Sequence, residues 1–166
     1  MKKIDIYSFK IDKKYKASSF KIANYIIYKY TIMNRKINNL MLQCILYYIQ
    51  ISGLKNGIEI INDEFITGDY CPIVKNIYAY YEKYHLRPID EINICECNIE
   101  PNVKKIIDSV IYEKINYRLI DMLKELSGEY TAWYTLKNAK NMSVIPISMI
   151  ATEEIEILKK SFYLCL

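Results

Sequence analysis

Catalysis near neutral pH calls for a base, an activated nucleophile or a metal cluster, and this chain offers few candidates. It has one histidine, His85. Any Cys–His or Ser–His pair would depend on it, yet it stands beside Arg87 and Pro88 at a predicted helix end and reads as a surface or capping residue. Cys95-Glu96-Cys97 offers two thiols, but no second pair follows, and nothing near His85 completes a tetrahedral site. Asp90-Glu91 and Glu153-Glu154 are adjacent carboxylates, which diverge on a helix rather than converge. Acids at a helix start also serve its dipole. The chain has four glycines, none in a phosphate-cradling pattern. The expectation is a protein without catalysis, metal or cofactor.

Binding is better supplied. Tyrosines number 17 against 4 phenylalanines, and tyrosine joins large contact area and few rotamers to a polar tip. Codon bias in an AT-rich genome is the second explanation of that excess. Tyr47, Tyr48, Tyr70, Tyr78, Tyr81 and Tyr84 make either a core seam or a contact patch. Gln43 and Gln50 lie two turns apart on one helix face, suited either to an internal loop backbone or to a partner.

The element that positions the first group is a helix from Asn39 to Gln50. Leu42, Ile45, Leu46 and Ile49 form its apolar stripe, Asn38 is its expected N-cap, and Gly53 its expected left-handed C-terminal residue. Adjacent Tyr47 and Tyr48 point about 100° apart, so at least one hydroxyl needs a partner at the core's rim. An earlier helix starts at Ser18 or Ser19 and carries Ala23, Ile26, Ile27 and Tyr30. Residues 2–16, with Ile4, Ile6, Tyr7 and Phe9, suit a short strand or a helical turn. Gly53 and Gly57 bracket a turn, and Ile58 to Asn62 reads as extended. Pro72 suits a first helical position, ahead of Val74, Ile77, Tyr78 and Tyr81. Ile92 and Ile94 alternate with polar residues and suit pairing with the Phe65 segment. Pro101 opens a helix through Val103, Ile106, Ile107 and Val110, and Leu119, Leu123 and Leu126 mark another, stopped at Ser127-Gly128. Asn138 to Ser143 reads as polar loop. Thr152-Glu153-Glu154 is the expected start of the last helix, with Lys159 and Lys160 in its final turn.

These residues also carry a resemblance. Asn39, Leu40, Leu42, Gln43, Leu46, Tyr47, Tyr48 and Gln50 match a signature close to T-N-L-K-L-Q-K-L-L-Y-Y-A-Q of the Panacea domain, the antitoxin and SocA-like proteolytic-adaptor family. Its second signature, roughly F-x-A-W-x-Y-G-P-V-V-x-x-V-Y-x-x-Y-x-x-Y-G, resembles Phe65, Tyr70, Pro72, Ile73, Val74, Ile77, Tyr78, Tyr81 and Tyr84. Trp133 matches a later family tryptophan. The sequence departs from the pattern at Gly68, where the family carries tryptophan, and at Cys71, where it carries glycine. Leu126-Ser127-Gly128 replaces a Leu-Thr-His triplet. The resemblance spans roughly residues 18–162, strongly in the first half.

The elements read along the chain predict a mainly α fold, a single helical domain of roughly five to six helices around the Leu42–Ile49 helix with a small β-hairpin, over residues 18–166 behind a basic lead-in at 1–17. The resemblance implies a non-enzymatic antitoxin that neutralises a cognate toxin, directly or as an adaptor for an AAA+ protease. The partner-binding residues would be Gln43, Tyr47, Tyr48, Gln50, Tyr70, Pro72, Tyr78, Tyr81 and Trp133. The alternative is a phage or mobile-element accessory protein that binds nucleic acid or inhibits a host nucleic-acid-processing machine.

Composition agrees with a globular domain: 52% of residues are apolar and 25% charged. The net charge of +4 is concentrated early. Lys2, Lys3, Lys10, Lys13, Lys14, Lys16, Lys21, Lys29, Arg35 and Lys36 face only Asp5 and Asp12 before the central helix, which suits a solvated lead-in or steering towards an acidic partner. No apolar run nears the roughly 20 residues that span a bilayer. The N-terminus turns polar too soon for a signal peptide, so a cytoplasmic location without membrane contact is expected. The five cysteines are odd in number and suit free thiols in a reducing compartment.

Overall fold

The computed structural model describes residues 13–14, 18–92, 98–138 and 142–152. Expectations placed on Ile4 to Phe9, Ile94, Cys95-Glu96-Cys97, Ala139 to Asn141, Glu153-Glu154 and Lys159-Lys160 lie outside these residues. In chain order the elements are β1 (Lys13–Lys14), α1 (Ser19–Ile32), α2 (Asn39–Lys55), β2 (Ile58–Glu59), β3 (Phe65–Thr67), β4 (Pro72–Val74) and α3 (Lys75–Tyr81). A 3-10 turn (Glu82–Tyr84), α4 (Pro101–Lys114), α5 (Leu119–Leu126) and α6 (Ala132–Lys137) follow. Residues 147–152 are helical as well. The fold is mainly α with one small antiparallel hairpin.

The organising element is α2, which packs against α1, α3, α4, α5, β2 and β4. Leu42, Ile45, Leu46 and Ile49 are fully buried, each side chain stabilising the fold by about 1.5–3 kcal/mol. Burial extends beyond that stripe to Gln43, Cys44, Tyr47 and Gln50, because neighbours surround the helix. Asn38 caps it as expected, its side chain accepting the Met41 N–H at 2.9 Å. Ser18 caps α1 likewise, accepting the Phe20 N–H.

The end of α2 corrects the expected role of Gly53. The helix runs on to Lys55, and Gly57 is the glycine with left-handed φ, at 70°. Gly53 is required for a different reason: a Cβ there would stand 2.7 Å from the Ile58 carbonyl oxygen and from Ile60 Cγ1. The chain after the turn lies directly on the helix backbone.

The hairpin corrects the reading of Pro72 as a helix opener. Pro72 lies in β4, opposite Thr67, with Ile66 opposite Ile73 and Phe65 opposite Val74. Position 72 ends the ladder, where a residue without an N–H is tolerated. Val144 bridges Ile66 from the other side, with Thr67 N–H donating to Ser143 O at 2.9 Å and Ile145 N–H to Phe65 O at 2.8 Å. The strand partners of the Phe65 segment are therefore residues 72–74 and 144, and Ile92 lies in irregular chain. Ile58–Glu59 pairs in parallel with Lys13–Lys14, so part of the basic lead-in adds a strand to the domain. Helix at 147–152 also begins earlier than expected: Pro146 O accepts the N–H groups of Met149 and Ile150 at 2.9 and 3.2 Å. Thr152, the expected start, instead bonds back through its hydroxyl to Ser148 O and Met149 O, as an interior helix threonine does. Among the described residues no helix is long and apolar enough to cross a membrane.

Candidate functional site

The two signature glutamines are internal ties. Gln43 accepts the Val74 N–H at 2.9 Å and donates to Asn39 Oδ1 at 3.1 Å. Gln50 accepts the N–H groups of Ile60 (3.2 Å) and Ile61 (2.8 Å) and donates to Ile61 O at 3.2 Å. Both are buried, and each satisfies loop or strand backbone that would otherwise be stranded in the core. This corrects their expected role as partner contacts.

Four more expected contacts are also interior. Tyr47 is fully buried, edge-on to Phe65 at 5.1 Å between ring centroids. Tyr81 is fully buried and donates through its hydroxyl to Asn24 Oδ1 at 2.9 Å. Pro72 is buried in the hairpin. Trp133 is nearly buried, its indole N–H donating to Gly68 O at 3.0 Å. A buried side chain has no surface to give a partner, so these residues hold the domain rather than contact one. The departure at Gly68 has a reason in the same place. A Cβ there would meet Cys71 O at 2.8 Å and Ile73 Cγ2 at 2.9 Å, leaving no room for a larger residue. Cys71 itself is buried with ordinary negative φ.

What remains accessible converges. Tyr70, 62% exposed, and half-buried Tyr78 border one groove of about 570 Å³ together with Leu40, Leu86, Leu119 and Leu123. Glu82, His85 and Asn39 complete its rim. Three local devices set its walls. Asn39, the first residue of α2, donates to Tyr78 O at 2.8 Å and so fixes α3 against α2. His85 ends the 3-10 turn with φ 51° and ψ −119°, a conformation rare for a residue with a Cβ, and Leu86 follows it into solvent. Asp121 accepts the Arg118 N–H at 3.3 Å and its guanidinium at 2.8 and 3.0 Å, pinning the first turn of α5 and with it Leu119 and Leu123. Burial raises the Tyr78 hydroxyl's pKa, and the negative charges of Glu82 and Asp69 add to the shift. The groove is apolar at its centre and acidic at one edge. The sequence does not mark the four leucines and Glu82 as site residues, because only tertiary packing brings them beside the tyrosines.

Tyr48 sits elsewhere, in a cleft of about 500 Å³ between α2, α4 and α5. Its hydroxyl donates to Glu125 Oε2 at 2.5 Å. That carboxylate also accepts Lys114 Nζ at 2.9 Å, and Glu113 lies 3.1 Å from the same ammonium. The ammonium lies 4.5 Å from the Tyr48 ring centroid and 4.3 Å from that of Tyr117, close enough for cation–π attraction. Burial pushes the Tyr48 hydroxyl far up, helped by its bond to Glu125. Burial alone would lower the Lys114 pKa, but the two carboxylates outweigh it and the net shift is upward. A sequence signal for Lys114 existed: it continues the buried spacing of Val103, Ile107, Val110 and Ile111.

A third concavity, about 660 Å³, gathers Lys36, Lys83, Arg87 and Tyr84. Lys83 is paired with Glu91 at 3.0 Å, and Asp90 shares the rim, so the positive field there is partly cancelled. Among the described residues no cluster of histidine, cysteine and carboxylate could hold a metal ion. Searches against protein-family models, curated proteins and solved structures find no match to this chain.

Proposed function

We propose that this chain is a non-enzymatic, antitoxin-type protein that binds and neutralises a cognate toxin, either directly or by delivering it to an AAA+ protease. The observation that carries the reading is the meeting of Tyr70 and Tyr78 with four leucines in one solvent-open groove. Aromatic anchors in an apolar pocket ringed by polar groups are the usual centre of a protein interface. The resemblance of residues 39–50 and 65–84 to the Panacea signatures supplies the partner class. The test is co-expression with the product of the neighbouring gene, reading growth and affinity co-purification together. Rescue with a stable complex supports direct neutralisation, and rescue with loss of the neighbour supports proteolytic delivery. A harmless neighbour that fails to co-purify refutes the reading.

The second reading, an accessory protein that binds nucleic acid or inhibits a host nucleic-acid-processing machine, draws on Lys36, Lys83 and Arg87 around Tyr84. Phosphate contacts weaken steeply with salt, whereas an aromatic-centred protein interface does not. A salt titration of binding separates the two.

A further inference from the structure

We propose that the groove takes an apolar segment of the partner that places an arginine or lysine at the edge marked by Asp69 and Glu82. The inference deepens the protein-binding reading of this groove and rests on it.

The argument is one of charge complementarity. Among the described residues neither the Asp69 nor the Glu82 carboxylate has a hydrogen bond or ion pair. Glu82 lines the groove. Asp69 adjoins Tyr70, and both carboxylates act on the Tyr78 hydroxyl. The Lys137 ammonium donates to the carbonyl oxygens of Gly68 and Asp69 and lies over the Trp133 ring; its charge offsets part of that of Asp69 and leaves Glu82 as the groove's own anion. Glu82 on the groove wall and Asp69 next to Tyr70, neither of them ion-paired among the described residues, flank half-buried Tyr78. Covering the groove with an apolar or acidic segment would remove Glu82 from water without compensation. A guanidinium would meet that carboxylate with directed hydrogen bonds. The leucines and tyrosines suit an amphipathic helix laid along the groove, with apolar anchors at i, i+3, i+4 and i+7.

Two synthetic peptides with the same helical leucine stripe, one with arginine and one with glutamate at the flank, test this by fluorescence anisotropy. The wild-type chain is expected to prefer the arginine peptide by about tenfold, and the Asp69→Lys/Glu82→Lys double variant to reverse the preference. Both positions are exposed, so the variant's thermal melt should match wild type. Equal binding of the two peptides, binding of neither, or an unchanged preference in the double variant overturns the inference. Co-expression keeps the two ideas apart. If both wild type and the double variant capture the neighbouring product equally, the inference fails and the antitoxin reading stands. If the peptide preference reverses but the neighbour is never captured, the antitoxin reading fails and the cation selectivity stands.

Discussion

Gln43 accepts the main-chain N–H of Val74 at 2.9 Å, and this one bond joins the central helix to the strand that leads into α3. Both ends are buried. Removing the acceptor leaves a buried N–H unpaired, which costs about 1–3 kcal/mol. Gln43→Leu should therefore lower stability by that amount in urea denaturation, with an unchanged slope. A variant as stable as wild type would show that water or a neighbour replaces the bond.

Gly53 reverses a general rule. Glycine to alanine inside a helix ordinarily stabilises by about 1 kcal/mol. Here the new Cβ would stand 2.7 Å from the Ile58 carbonyl oxygen, so Gly53→Ala should destabilise by about 1–3 kcal/mol. Thermal melting followed by circular dichroism gives the sign directly.

Alkaline pH should separate the tyrosines. Burial raises the hydroxyl pKa of Tyr30, Tyr48 and Tyr81 in the folded chain, while the unfolded chain ionises its tyrosines near pH 10. The folded state thus holds protons that the unfolded state releases. The resulting stability is complete below about pH 10 and is lost as pH rises beyond it. Phenolate absorbance should show Tyr30, Tyr48 and Tyr81 ionising only together with loss of helical signal. At the acid end the sign is opposite. Lys83 holds Glu91 below the usual carboxylate range, and Arg118 does the same for Asp121. Their contribution is present above that range and is lost as pH falls through it.

Lys114 joins three elements through one charge. Replacing it with methionine leaves Glu125 and the Tyr48 hydroxyl facing each other without the ammonium. Because Glu125 remains partly exposed, the expected loss is modest, about 1–2 kcal/mol. Restoring half of it with Lys114→Met/Glu125→Gln would show that the cost comes from the orphaned carboxylate, and chemical denaturation of the single and double variants measures it.

The legible part of this sequence was its local chemistry. Ser18 and Asn38 declared their helices by side-chain caps, and Leu42 to Ile49 declared the central stripe by spacing alone. Gln43 and Gln50 were recognisable as one polar face, but whether that face met a partner or a loop depended on backbone 31 and 11 residues away in sequence. Pro72 fits a helix start and a strand end equally well until its neighbour Thr67 is known. Tyr70 and Tyr47 have the same type and different fates, because exposure is decided by what packs on top. The groove was illegible for the same reason: Leu40, Leu86 and the Leu119–Leu123 pair of α5 come from three separate stretches of chain.

The most direct test of the groove as the docking face is a double variant at its two most open apolar positions. Tyr70 and Leu86 are 62% and 65% exposed, so Tyr70→Ala/Leu86→Ser should fold and melt as wild type does. Co-expressed with the neighbouring gene product, the wild-type chain is expected to restore growth and co-purify with it, and the double variant to do neither. A folded double variant that still captures and neutralises the neighbour would contradict the account.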